Sequence, residues 1–362
     1  MNIRILLSVI SLLGSHSFAQ NLNNVQFPEM QKATGRKEIR IPGIMGYQTL
    51  KCDFHMHTVF SDGMVWPAFR VEEAWAEGLD AISITDHIEN QPSKKYVSGD
   101  HNTSYELAID LAKQKNILLI HAGEVTRKMP PGHLNALFLT DTNPLDVPLV
   151  QDALQAAKKQ GAFIIWNHPG WKAQQPDTCR WWPLHEELFE KGLINGVEVF
   201  NEIEYYPIVL DWCISRKLSV ICNSDVHGIV SETFDLENGH RPMTLVFAKS
   251  RSIESIREAM FANRTVACFD NKLAGKEEFL AALFLASVTV KSIAAYENNN
   301  QELFEIKNNS TIPFDIETQQ GGKFTILAEA SIIMPLVRGE LNGITVLNLY
   351  TGSQSKLKVD LF

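Results

Sequence analysis

No two of the five cysteines, Cys52, Cys179, Cys213, Cys222 and Cys268, stand in a CxxC spacing, so the chain offers neither a thiolate zinc ribbon nor a dithiol redox pair. Their number is odd and their spacing fixes no connectivity; most read as buried thiols packed as small apolar groups. Runs of lysine and arginine are missing too. With 33 basic and 42 acidic residues the formal charge is 33 − 42 = −9, and no segment could release counterions along a nucleic acid. Long DNA or RNA is therefore not an expected partner. Apolar runs approaching the roughly 20 residues that span a bilayer are absent as well: Ile5 to Gly14 and Phe279 to Val290 are much shorter. What is present is an ordinary packed-protein composition, 45% hydrophobic and 21% charged over 362 residues, with room for two domains.

The first residues are a separate object. Met1 to Arg4 is a basic start, Ile5 to Gly14 an apolar run, and Ser17-Phe18-Ala19 precedes Gln20, which is the pattern of a cleaved export signal. Cleavage is expected after Ala19, giving an exported, periplasmic or secreted chain of charge 32 − 42 = −10. Residues 20–46 form a lead-in.

From Thr49 to Ser250, short β-branched runs alternate with segments of helical period, the pattern of βα units around a parallel sheet. Strands are expected at 50–55, 81–85, 117–122, 135–140, 162–167, 196–200, 219–223 and 244–248, and helices at 70–78, 104–115, 150–160, 183–191, 206–217 and 252–263. Seven or eight such strands point to a closed or distorted (β/α) barrel over 47–275, with a doubly wound open sheet as the alternative. Over 276–362 a short helix is followed by strands at 288–296, 303–308, 314–317, 323–330, 344–350 and 356–362, a small all-β domain without histidine.

Ligand-type residues cluster just past the expected strands. In Asp53-Phe54-His55-Met56-His57 the alternate residues share a face, so two imidazoles converge; Ser61-Asp62-Gly63 follows. Asp86-His87, Glu124, His168, and Asp225 with His227 end later strands, and His133 sits in a loop on the same rim. Histidines and carboxylates without thiolates suit zinc, manganese or iron at an exposed hydrolytic centre. Eight or nine such groups are too many for one ion and suit two or three divalent ions sharing a carboxylate.

Asp53-x-His55-x-His57 with Ser61-Asp62-Gly63, then Ile84-Thr85-Asp86-His87, Gly123-Glu124, Gly132-His133, Asn167-His168-Pro169 and Ser224-Asp225-x-His227 resemble the ordered motifs of the polymerase and histidinol phosphatase (PHP) superfamily, over about 47–270. With the export signal and the β-rich tail, the chain is similar to secreted PHP phosphodiesterases that carry a C-terminal domain. The resemblance implies a distorted (β/α)7 barrel and a trinuclear site. His55, His57, Glu124 and Asp225 would hold one ion, Glu124, His133 and His168 a second, and Asp62, His87 and His227 a third. A hydroxide held between two ions would attack the phosphoryl group, with Glu124, Asp225 and His227 carrying the reaction. Asp53 and Asp86 would orient imidazole N–H groups or be buried structural carboxylates.

Arg241, His240, Arg180 and Lys172 are the candidates to meet a phosphate oxygen, and Trp166, Trp171, Trp181 and Trp182 to wall the mouth. His101, His121 and His185 receive no role. The expected activity is hydrolysis of a small phosphodiester. The alternatives are a phosphomonoesterase of histidinol-phosphatase type, a nuclease, and a noncatalytic protein whose metals only stabilise the barrel.

Overall fold

The computed structural model describes residues 27–30, 35–295 and 301–361. The expected export signal lies outside the described residues. The chain divides into two units. Of the first, up to Gly35, a single 3-10 turn, Pro28–Met30, is described. The second runs from Arg36 to Phe362.

Within it, β1 (Gln48–Asp53), β2 (Ala81–Ile84) and β3 (Leu118–Val125) are parallel neighbours, and β4 (Leu134–Leu137) reverses between β3 and β5 (Phe163–Trp166). Then β6 (Gly196–Asn201) continues parallel to β5, carries the short β7 (Glu204–Tyr205) on its edge, and pairs with β8 (Ser219–Asn223). Every residue of β2, β4, β5, β6 and β8 is buried, as in strands covered on both faces. Beyond β1 and β8 the Asp225 N–H donates to the His55 carbonyl and the His57 N–H to the Val226 carbonyl. That bridge joins the ends of the series at one rim, giving a distorted barrel of seven strands.

The six expected helices form the outer layer as α1 (Pro67–Ala76), α2 (Thr103–Gln114), α3 (Val150–Lys159), α4 (Pro183–Glu190), α5 (Pro207–Arg216) and, after the unexpected single turn α6 (Val230–Thr233), α7 (Ile253–Phe261). In α3 the buried Ala153, Leu154 and Ala157 make one stripe, with Asp152 in the first turn and Lys158 and Lys159 in the last, matching the helix dipole. Ser252 caps α7 by accepting from the Ser255 N–H.

Besides the reversed β4 and the unexpected β7 and α6, three larger features differ from expectation. The strand β9 (Met243–Ala248) runs antiparallel to β1, because the segment after β8 is mostly loop and supplies no crossover helix of full length. A hairpin of β10 (Thr265–Phe269) and β11 (Lys272–Gly275) follows, turning through Asp270 and Asn271, both at positive φ. After α8 (Glu277–Ser287), β12 (Val288–Ala295) pairs with β13 (Gln301–Asn308), and β13 with β16 (Ser331–Val337), as a separate three-stranded sheet. The strands β14 (Phe314–Glu317), β15 (Lys323–Ile326), β17 (Ile344–Tyr350) and β18 (Lys356–Val359) instead extend the large sheet, since β17 lies parallel to β11 with Tyr350 opposite Ala274.

Candidate metal centre

The ligand loops are fixed by backbone contacts before any side chain is considered. The fully buried Arg70 of α1 donates to the carbonyls of His57, Val226, His227 and Gly228, tying the segment after β1 to the segment after β8; Glu73 balances it at 2.8 Å. Gly63 closes the loop that carries Asp62 back over His57. A Cβ there would lie 2.5 Å from the His57 carbonyl carbon, so only glycine fits.

The nine expected ligands lie together at this rim. Nε2 of His55 and of His57 stand 3.1 and 3.0 Å from Asp225 Oδ1. Glu124, buried between them and the rest, has Oε2 3.3 Å from His55, 3.4 Å from His57 and 2.9 Å from His87, and Oε1 3.0 Å from His133 and 3.9 Å from His168. Asp62 Oδ1 faces His227 at 3.2 Å and His87 at 3.5 Å. Three groups bring their ligand atoms within 4.8 Å of one another: His57, Asp62, His87 and His227; His55, His57 and Asp225; and His87, Glu124 and His133. His168 stands farther off, 3.9 Å from both Glu124 and Asp225.

For three of the rings the far side decides what the near side offers. His55 Nδ1 is 2.9 Å from Glu198 Oε1, His57 Nδ1 is 3.3 Å from Ser61 Oγ, whose hydroxyl donates to Asp86, and His227 Nδ1 is 2.8 Å from the Asp225 carbonyl. Each partner is an acceptor, or a hydroxyl already donating elsewhere, so Nδ1 carries the hydrogen and Nε2 presents a lone pair to a carboxylate. Lone pair facing lone pair at about 3 Å is repulsive unless a cation or proton lies between. His133 Nδ1 and Asp62 Oδ1 are moreover buried without a hydrogen-bond partner. These donors fit divalent ions.

Electrostatics agrees. Asp62, Glu124, Glu198 and Asp225 bring four carboxylates among six imidazoles, and burying that much negative charge requires compensation. Burial pulls His87 down, but Glu124 and Asp62 outweigh it and hold the ring at about 10. Burial, with His133 alongside, drives His168 to about 3. Asp225 rises to about 6 through burial and the charge of Glu124, partly offset by His55. Glu124 overcomes its burial and falls below the usual carboxylate range under the influence of His87, His55 and His133. Protons and divalent ions are thus competitors for one pool of negative charge.

Of the two roles open to Asp53 and Asp86, the structural one prevails. Asp53 accepts from the His55 and Ser224 N–H groups and the Ser224 hydroxyl and pairs with Arg241 at 2.6 Å, so it holds backbone, not an imidazole. Asp86 binds the Thr58 N–H and hydroxyl and reaches His57 only through Ser61. The orienting acid is Glu198 in β6, which also accepts from the His168 N–H and from Asn201 and Asn223. Sequence reading passed over it, though an acid flanked by Val197 and Val199 in a strand buried on both faces must have partners.

The mouth is a cavity of about 470 Å³ walled by ligands with Asn90, Thr126, Trp171, Gln174, Asn201 and Glu202. Of the tryptophans only Trp171 reaches it, 5.3 Å from the His168 ring. Trp166 is buried against His185, and Trp181 packs beside them. None of the expected cations lines it. Arg241 is buried between Asp53 and Glu77, His240 is bonded to the Arg241 carbonyl beside Cys268, and Arg180 is exposed near Asp177. Lys172 lines a different depression.

No protein-family model and no curated protein matches the chain. Among solved structures it is similar to a two-domain protein containing a predicted PHP-like metal-dependent phosphoesterase from Bacteroides vulgatus, with 41% identity, 90% of this chain and 98% of that chain covered, and a TM-score of 0.86. A proposed metal-dependent phosphoesterase from Bifidobacterium adolescentis is 18% identical over 49% of this chain and 87% of its own, with a TM-score of 0.38. An amidohydrolase from Chromobacterium violaceum, crystallised with sulfate and no metal, is 14% identical over 50% of this chain and 88% of its own, with a TM-score of 0.39.

Proposed function

The chain belongs to the PHP-like metal-dependent phosphoesterases, and from that premise we propose that it is an exported enzyme hydrolysing small phosphodiesters with two or three divalent ions, zinc, manganese or iron. Export is supported by the first 19 residues. The observation that carries the catalytic reading is the placement of Glu124, whose two oxygens face different sets of histidines and can therefore be shared between ions.

On this reading His55, His57, Glu124 and Asp225 hold one ion, Glu124, His133 and His168 another, and Asp62, His87 and His227 a third. When bound, such ions neutralise phosphoryl oxygens and acidify water. The protein's own part is to aim the ligands: Glu198 sets the His55 ring, Ser61 and Asp86 set His57, and Asn201 steadies Asp225 at 3.3 Å. Trp171 covers one side of the mouth.

Charge favours a diester. Among the described residues lining the cavity there is no lysine or arginine. A phosphate monoester approaches two negative charges at neutral pH, whereas a diester carries one, which suits a site whose positive charge comes only from ions and imidazoles.

Glu124→Gln should lower bound metal and cut kcat/KM on bis(p-nitrophenyl) phosphate by at least about a hundredfold, while Cys179→Ala stays within twofold of wild type. Undiminished turnover by the Gln variant with added metal would refute the shared carboxylate. A faster rate on p-nitrophenyl phosphate than on the diester would refute the substrate class.

A further inference from the structure

A second cavity, of about 530 Å³, adjoins the first: Glu202 and Thr233 line both. Its walls are mainly aromatic and apolar, formed by Phe200, Ile203, Tyr205, Phe234, Phe269 and Tyr350, with His240 also lining it. The rings are already arranged against one another. Phe200 stacks on Phe269 with centroids 4.2 Å apart, and Tyr205 lies 5.0 Å from Phe269 and 5.5 Å from Tyr350.

Four separate elements build this wall. Phe200 comes from β6, Tyr205 from β7, Phe269 from β10, and Tyr350 from β17, carried there by the parallel pairing of β17 with β11. The charged residues at its edge are mainly acidic: Glu202, Asp235 and Asp270, the last paired with Lys272. Such an edge repels a second anion. An aromatic wall under an acidic edge, opening beside a phosphoryl site, suits a flat uncharged group.

We infer that this cavity is the specificity subsite for one ester group of the substrate, and that the group is a flat, uncharged heteroaromatic or aryl moiety. The inference rests on the phosphodiester reading above and narrows it. It also gives the C-terminal strands a share in substrate selection, through Tyr350. Ring contacts of this kind strengthen binding by about tenfold relative to a methyl group.

The test is calorimetric titration of the metal-loaded protein with dimethyl phosphate and with diphenyl phosphate, slow substrates of equal charge. Wild type should bind diphenyl phosphate at least about tenfold more tightly. Tyr350→Ala should reduce that preference to about threefold or less. Ile203→Ala, at a position 74% exposed where no packing is at stake, should reduce it in the same direction and so guards against misfolding of the first variant. Equal affinity of wild type for the two esters, or a preference kept by both variants, overturns the subsite and leaves the phosphodiester reading standing. Binding of neither ester overturns both.

Discussion

Replacing Glu198 by Gln keeps the side chain's shape and removes its charge. Its carboxylate accepts four hydrogen bonds, from His55 Nδ1 and Asn223 Nδ2 on Oε1, both 2.9 Å, and from the His168 N–H and Asn201 Nδ2 on Oε2, at 2.7 and 2.8 Å. An amide has one oxygen, so in either orientation its NH2 group confronts two donors. Two charge-assisted bonds of about 1.5–3 kcal/mol each are lost, roughly 3–6 kcal/mol in all. Relief from burying a carboxylate, several kcal/mol, offsets most of this. The metal-free fold should therefore lose no more than about 2 kcal/mol. Metal affinity has no comparable compensation, because in one amide orientation His55 loses the acceptor that fixes its tautomer and in the other the His168 N–H loses the acceptor that holds its turn; a fall of about 10- to 100-fold is expected. Competition against a chromophoric zinc chelator measures the affinity, and denaturant unfolding of the metal-free protein measures the stability. An affinity within twofold of wild type would refute the orienting role. Asn201→Ala removes one of the four bonds and should weaken metal binding in the same direction by a smaller factor.

Arg241→Ala leaves Asp53 and Glu77 buried without their cation and should cost about 3–5 kcal/mol in denaturant unfolding; Arg180→Ala, at an exposed position, should change neither stability nor rate by more than measurement error. His185 is buried neutral, its Nε2–H donating to the Pro131 carbonyl and its Nδ1 accepting from the Trp182 N–H, and burial lowers it to about 4. A histidine depressed on folding stabilises fully above its unfolded value near 6.5 and loses that contribution as pH falls towards 4. Wild type should thus lose about 3 kcal/mol more than His185→Gln over that window, and parallel pH dependences of unfolding would contradict it.

Much of the fold was legible because the two hydrophobic periods alternate cleanly before residue 250. The expected strand at 81–85 is β2, and the expected helix at 150–160 is α3, each within a residue or so. Legibility failed where short elements depend on partners distant in sequence. The hairpin of β10 and β11 offers only a few residues per strand around Asp270 and Asn271, too few for a period. The strand Ser331–Val337 contains Pro335, which argues against a central strand; it is tolerated because β16 is an edge of its sheet. Likewise the reading of 323–330 as one strand ran past its end at Ile326.

At the site, the residues that cluster were legible and their supports were not. His55-x-His57 announces itself by alternation, whereas Arg241 looked like a mouth residue because nothing local reveals that Asp53 and Glu77 surround it. Two residues of the cluster also take conformations that propensity would not suggest: His168 and Asp225 both have positive φ, at 27° and 50°. A non-glycine residue held there costs of order 1 kcal/mol or more and persists only under constraint from its surroundings. The constraint on His168 is its N–H to Glu198, and that on Asp225 is its N–H to the His55 carbonyl, beside an Asn201 amide that also binds Glu198. One carboxylate in β6 therefore aims one imidazole and holds the strained turn of another. Its position in the middle of a strand with no exposed face is explained by that double duty, since an apolar residue there would pack as well but leave both imidazoles free to relax out of the cluster.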